Sequence, residues 1–162
     1  MELVFGDSRP KNMNKLLILQ KRALRLIYFA QWQTHAIPYF IETNILPINL
    51  HYYEEIANLM HNVVNNIAPN NLSKLFTNIS EIHSYSTRAS KSNKLFTEGS
   101  RTSLCKKSFS KIGASIWNKI PESVRNLTNK AFRVEIKRRL FSILESEETY
   151  VELADLIRKI KM

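Results

Sequence analysis

Residues 50–66 read LHYYEEIANLMHNVVNN. Leu50, Tyr53, Ile56, Ala57, Met60 and Val64 recur every three or four positions along this stretch. That spacing lines one face of an α-helix and breaks the alternation a half-buried strand would need. Asn65 and Asn66, with Pro69 beyond them, mark its end. The same period appears on both sides. In residues 10–29, Met13, Leu16, Leu17, Leu24 and Ile27 fall on one side of a helix. Lys11, Lys15, Arg22 and Arg25 fall on the other, so one face seeks a core and the opposite face carries cations. Ser8 or Asp7 can cap this helix, and Pro10 suits its first turn. In residues 129–144, Phe132, Ile136, Leu140 and Leu144 point inward behind a Thr128 cap.

Shorter pieces fill the gaps. A short helix containing Pro38 ends around Thr43, and Leu46-Pro47-Ile48-Asn49 is a break. Single helical turns fit residues 72–76 and 122–127, and a helix around Ile112, Ile116 and Trp117 fits residues 111–120. Residues 104–110 suit a short strand. The predicted fold class is therefore mainly α: a small irregular helical architecture with a polar basic loop and at most one short strand or hairpin. The expected divisions are a helical segment over 1–77, a Ser/Thr/Asn/Lys-rich loop or linker over 78–103, a basic element over 104–144, and a tail over 145–162. The tail is acidic first and basic last, and fits a separate short amphipathic helix.

Composition narrows the chemistry. With 162 residues and 44% hydrophobic content, most of the chain is expected to fold around one core. Three glycines leave no Gly-rich phosphate loop. One cysteine, Cys105, permits neither an internal disulfide nor a zinc finger. It lies beside Lys106 and Lys107, but nucleophilic work would also require a base and an orienting group. No run of about 18 apolar residues spans a membrane, and the first ten residues lack the apolar core of a signal peptide. An intracellular protein, nuclear or cytoplasmic, is expected.

Two-metal phosphoryl transfer requires clustered carboxylates. The only aspartates are Asp7 and Asp155, near opposite ends. The acidic pairs Glu54-Glu55 and Glu147-Glu148 read as solvated helix acids. The histidines at 35, 51, 61 and 83 include no pair four apart on one helix face. No catalytic residue, metal ligand, cofactor or small-molecule substrate is expected.

Charge points elsewhere. The net formal charge is +10, and residues 81–144 carry fourteen basic and four acidic side chains. Such an imbalance attracts polyanions, of which nucleic acid is the commonest inside cells. Arg101, Lys111, Lys119 and Arg125 contribute to this stretch, and Tyr85, Phe96, Phe109 and Trp117 interleave with the cations. Phe109 and Trp117 suit a core better than a stacking platform.

The order of short motifs carries a resemblance. KLLILQKRALR (15–25) resembles the L-x-x-L-Q-K-R-A-x-R helix that follows the polymerase core in LINE-type, non-LTR retrotransposon reverse transcriptases. Phe5-Gly6 stands where that family has an aromatic-Gly pair, and Asn44-Ile45-Leu46-Pro47 resembles its N-I-L-P step. His83 to Arg88 resembles its H-x-Y-x-T-R element. Ser108 to Pro121 resembles S-x-x-x-G-x-x-x-W-N-x-L-P, with Ile120 in place of Leu, and Phe132 to Leu140 resembles the closing helix. The tail from Glu145 lies outside the pattern.

The resemblance implies the thumb and C-terminal extension of an RNA-directed DNA polymerase. The family's catalytic Asp-Asp turn and endonuclease would lie upstream, in the same polyprotein. The fragment would then be non-catalytic, with RNA or DNA backbone as its partner. Lys11, Lys15, Arg22 and Arg25 would form one contact stripe, and Arg88, Lys106, Lys107, Lys137, Arg138 and Arg139 another. Two other readings stand beside this one: a small helical interaction or scaffold protein, and a degenerate fragment without a function of its own.

Overall fold

The computed structural model describes residues 10–82, 94–97, 99, 101–102, 105 and 108–146, without the side chains of Pro10, Lys11 and Ser146. Among these residues the chain is helical almost throughout. In order come α1 (Pro10–Ile27), α2 (Ile37–Glu42), α3 (Ile48–Val64), α4 (Asn70–Ser73), α5 (Ile79–Ile82), α6 (Phe109–Lys119), α7 (Glu122–Arg125) and α8 (Asn129–Ser146). No helix of the described residues is long and apolar enough to cross a membrane. Two compact units emerge. The first combines residues up to Glu55 with residues from Glu135, and the second runs from Ile56 to Val134. The sequence divisions at 77 and 103 do not coincide with these borders.

In the first unit, α1, α2 and α3 are separated by sharply ended helix termini. Phe29 and Asn44 adopt positive φ of 50° and 53°. Beside each, an N–H reaches back five residues: Ala30 N donates to Arg25 O at 2.9 Å, and Ile45 N to Phe40 O at 3.1 Å. This is the Schellman arrangement, which satisfies carbonyls that a helix end leaves without partners. Asn tolerates the left-handed conformation; an aromatic residue such as Phe29 does so at a cost. Tyr28 stacks on Tyr39 with ring centroids 4.7 Å apart.

The N-I-L-P step has a mechanical role here. Asn44 ends α2, Leu46 is buried, and Pro47 precedes α3. Gln20 of α1 spans the step: its Nε2 donates to Leu46 O at 3.0 Å, and its Oε1 accepts from Ile48 N at 2.9 Å. Both partners are backbone groups with no helical alternative. Gln20→Ala is therefore expected to destabilise the protein by about 1–3 kcal/mol, read from urea unfolding. A midpoint unchanged from the parent would show that water replaces the clamp.

The second unit is organised around Trp117. Its ring lies 6.4 Å from that of Phe132 and 6.3 Å from that of His61. His61 itself stacks on Phe132 at 4.2 Å. Its Nε2 stands 3.0 Å from Leu127 O, and burial holds its pKa below the ordinary histidine value. The ring thus serves as a core aromatic whose nitrogens also keep polar neighbours, Asn65 Nδ2 lying 3.3 Å from Nδ1 and 3.2 Å from Nε2. Gly113 lets α6 approach α3: a β-carbon there would sit 2.6 Å from Met60 Sδ and 3.3 Å from Phe76 Cζ. Asn66 has φ 56°, and the Ile67 N bond to Asn62 O at 2.8 Å repeats the Schellman ending after α3. Thr128 precedes α8, its carbonyl accepting the first helical bond from Phe132 N at 2.8 Å.

Extended pairing appears in an unexpected place. Of the expected strand at 104–110, Leu104, Lys106 and Lys107 lie outside the described residues; Cys105 is helical and α6 already starts at Phe109. Ser108 adopts the extended φ/ψ of an N-cap just before α6, but its hydroxyl donates to Cys105 O at 2.9 Å instead of capping the helix. The antiparallel bridge found among the described residues joins Asn78 to Leu95, with Ile79 N donating to Lys94 O and Phe96 N to Thr77 O. Asn118 holds this bridge from α6. Its Oδ1 accepts from Leu95 N and its Nδ2 donates to Leu95 O, both at 2.8 Å. The amide thus substitutes for a neighbouring strand.

Candidate nucleic-acid interface

The cations read from the sequence fare unequally. On α1, Lys15 and Arg22 are exposed and have no ion pair among the described residues. They stand seven positions apart, which is two turns and about 10.5 Å along one line of the helix. No acid occurs anywhere in α1, so nothing on the helix competes for them. Arg25 is half-buried and donates through Nε to Thr34 O at 2.8 Å, which ties it to the loop after α1. Lys21, also half-buried, has its pKa lowered by burial and then by the nearby Arg25 charge.

On α8 the expected stripe is partly neutralised. Glu135 accepts from Arg138 Nε at 2.8 Å and Nη2 at 2.7 Å, and from Arg139 Nε at 2.7 Å. These bonds hold the Glu135 carboxyl down to about 2. One carboxylate therefore offsets half the charge of two guanidiniums at any pH near neutrality. Arg138 remains 66% exposed and Arg139 only 29%. Lys137 places its Nζ 5.7 Å from the centre of the Phe141 ring. The spacing of Glu135 to both arginines was available in the sequence, since residues three and four apart meet on a helix.

Arg125 belongs to the core rather than to a basic surface. It is 7% exposed, with its guanidinium carbon 5.6 Å from the centre of the Trp117 ring. Burial lowers its pKa, as it does that of Lys119. Trp117 is a core residue, as expected; Phe109 is half-buried and meets Phe76 edge to face at 5.5 Å. Arg88, Lys106 and Lys107, the side chain of Lys11, and the His83–Arg88 element lie outside the described residues.

Sequence reasoning passed over one cluster. His51, Glu54 and Glu55 place one ligand atom each within 4.8 Å of one another, and His51 Nδ1 stands 3.0 Å from Glu54 Oε2. The signal was the i, i+3, i+4 spacing on α3, which a search for histidine pairs does not detect. Three donors fill half of an octahedral shell, so any ion held there would keep several waters. Cys105 is an exposed free thiol.

No family model, curated protein or solved structure matches this chain.

Proposed function

We propose that the chain is a non-catalytic C-terminal segment of a non-LTR retrotransposon reverse transcriptase that grips RNA or DNA through the phosphate backbone. The observation that carries this reading is the acid-free α1 helix with Lys15 and Arg22 exposed along one line. The motif order supports it further. Gln20 of the L-Q-K-R motif clamps the N-I-L-P step, and Asn118 of the W-N motif clamps Leu95, so these motif residues have work to do in the fold.

Backbone contacts release condensed counterions, so the logarithm of affinity for duplex DNA should fall linearly with the logarithm of salt concentration, by about 0.9 per neutralised phosphate. Replacing Lys15 and Arg22 together by alanine should reduce that slope by about 2 and weaken binding on the order of tenfold, alike for all sequences. Fluorescence anisotropy across a salt series measures both. A full chain that binds neither duplex nor single strand at low salt would remove the nucleic-acid reading.

One observation favours a second reading, a helical interaction protein. Leu26 of α1 is 76% exposed and Ile27 66%, next to fully exposed Phe29 and largely exposed Trp32. Scattered apolar side chains are ordinary on surfaces, but a contiguous patch marks a docking site.

A further inference from the structure

Residues 51–55 read HYYEE. On a helix His51 is a neighbour of both Glu54 and Glu55, three and four positions on, while Tyr52 and Tyr53 between them are buried. One ligand atom from each of His51, Glu54 and Glu55 falls within 4.8 Å of the other two. Donors held by one first-row divalent ion at about 2.0–2.2 Å, in tetrahedral or octahedral geometry, lie about 2.8–3.6 Å from each other. His51 Nδ1 and Glu54 Oε2, 3.0 Å apart, already have that separation. Glu55 has to close by no more than about 2 Å, within the reach of side-chain rotation.

The surroundings favour a cation. The Glu54 side chain is 13% exposed and Glu55 is half-buried. Carboxylates withdrawn from water need a compensating positive charge. The chain has 24 Lys and Arg, yet neither acid pairs with one among the described residues. Glu54 meets His51, and the Glu55 carboxylate makes no hydrogen bond or ion pair among the described residues. A proton shared by His51 and Glu54 offsets one negative charge. A divalent ion offsets both.

The donor set also selects the ion. Ca²⁺ and Mg²⁺ take oxygen ligands, whereas one imidazole with two carboxylates suits Zn²⁺ or Co²⁺. We propose that His51, Glu54 and Glu55 form a binding site for a divalent transition ion of the zinc type on the first two turns of α3. The ion replaces the proton between His51 and Glu54, and water completes its shell. All three ligands stand on one helix within the first compact unit, so the site needs no movement of the backbone. This inference does not depend on the nucleic-acid reading.

Calorimetric titration of the full chain carrying Cys105→Ser, which removes the exposed thiol, reads the site directly. Zn²⁺ is expected to bind at one site per chain with micromolar affinity, and Ca²⁺ at least tenfold more weakly. His51→Ala and Glu55→Gln should each weaken Zn²⁺ at least tenfold. Glu55→Gln is the sharper variant, because it keeps the side chain's size and breaks no hydrogen bond or ion pair found among the described residues. Circular dichroism verifies that each variant is folded, and Glu55→Gln still decides if His51→Ala is not. His35→Ala, at an exposed histidine outside the site, should leave the affinity unchanged. No heat of binding with millimolar Zn²⁺ would overturn the proposal. So would an affinity that Glu55→Gln leaves intact, one that His35→Ala abolishes, or Ca²⁺ binding as tight as that of Zn²⁺.

Discussion

Trp117→Ala is expected to lose about 3–5 kcal/mol of stability, the usual cost of removing a large aromatic from a closed core. The indole is 2% exposed and borders Phe132, His61 and the Arg125 guanidinium at once. Its removal leaves a cavity between α6, α3 and α8 and strips the buried Arg125 charge of its aromatic face. Domains of this size are held by about 5–15 kcal/mol in all, so the variant stands near unfolding at room temperature. Trp117→Phe should lose far less, within about 1.5 kcal/mol. Part of the reason is that Trp117 Nε1 is buried without a hydrogen-bond partner, so phenylalanine removes a group that was already unpaid for. Urea unfolding followed by circular dichroism compares the two. Equal losses for alanine and phenylalanine would place the indole nitrogen, not the ring, at the centre of the interaction.

Asn118→Ala should cost about 2–4 kcal/mol, because it orphans two backbone groups of the buried Leu95 together. Asn118→Asp should not rescue it. A carboxylate can accept from Leu95 N, yet it turns a second pair of lone pairs toward Leu95 O. Hydrogen exchange separates this local effect from a global one: the Leu95 amide should exchange at least tenfold faster, while amides in the middle of α8 change only by the global loss. An unchanged Leu95 amide would mean that the Asn78 bridge holds that segment without α6.

These two positions also show where the sequence is and is not legible. The long helices follow from 3.6-residue periodicity, and Asn44 and Asn66 are sensible left-handed stops. On α8, Phe132, Ile136, Leu140 and Leu144 are buried as their spacing requires. On α1 the pattern misleads. Leu16, Leu17, Ile18 and Leu19 are consecutive, so apolar residues surround the helix and periodicity alone does not choose the buried side. The structure buries Met13, Leu17 and Leu24 and leaves Leu16 and Ile27, expected inward, in solvent. The Asn118 clamp was equally hidden, because it joins residues 23 apart and has no local signature. Among the candidate contact residues, Lys15 and Arg22 are exposed. Arg138 and Arg139 turn to Glu135 three and four residues back, and Arg25 to Thr34 nine residues on, an outcome that net charge cannot register.

The Gln20 clamp has a geometric meaning beyond its two bonds. A helix with apolar residues all round has no single preferred rotation about its own axis, and α1 could in principle roll by one residue, about 100°, to hide a different set of leucines. Gln20 acts as a key in a slot: its amide meets Leu46 O and Ile48 N in one orientation only, and any roll breaks both contacts. The azimuth of α1 is thereby locked. Lys15 and Arg22 keep a fixed heading, and the oily strip beside them is presented to the outside by construction.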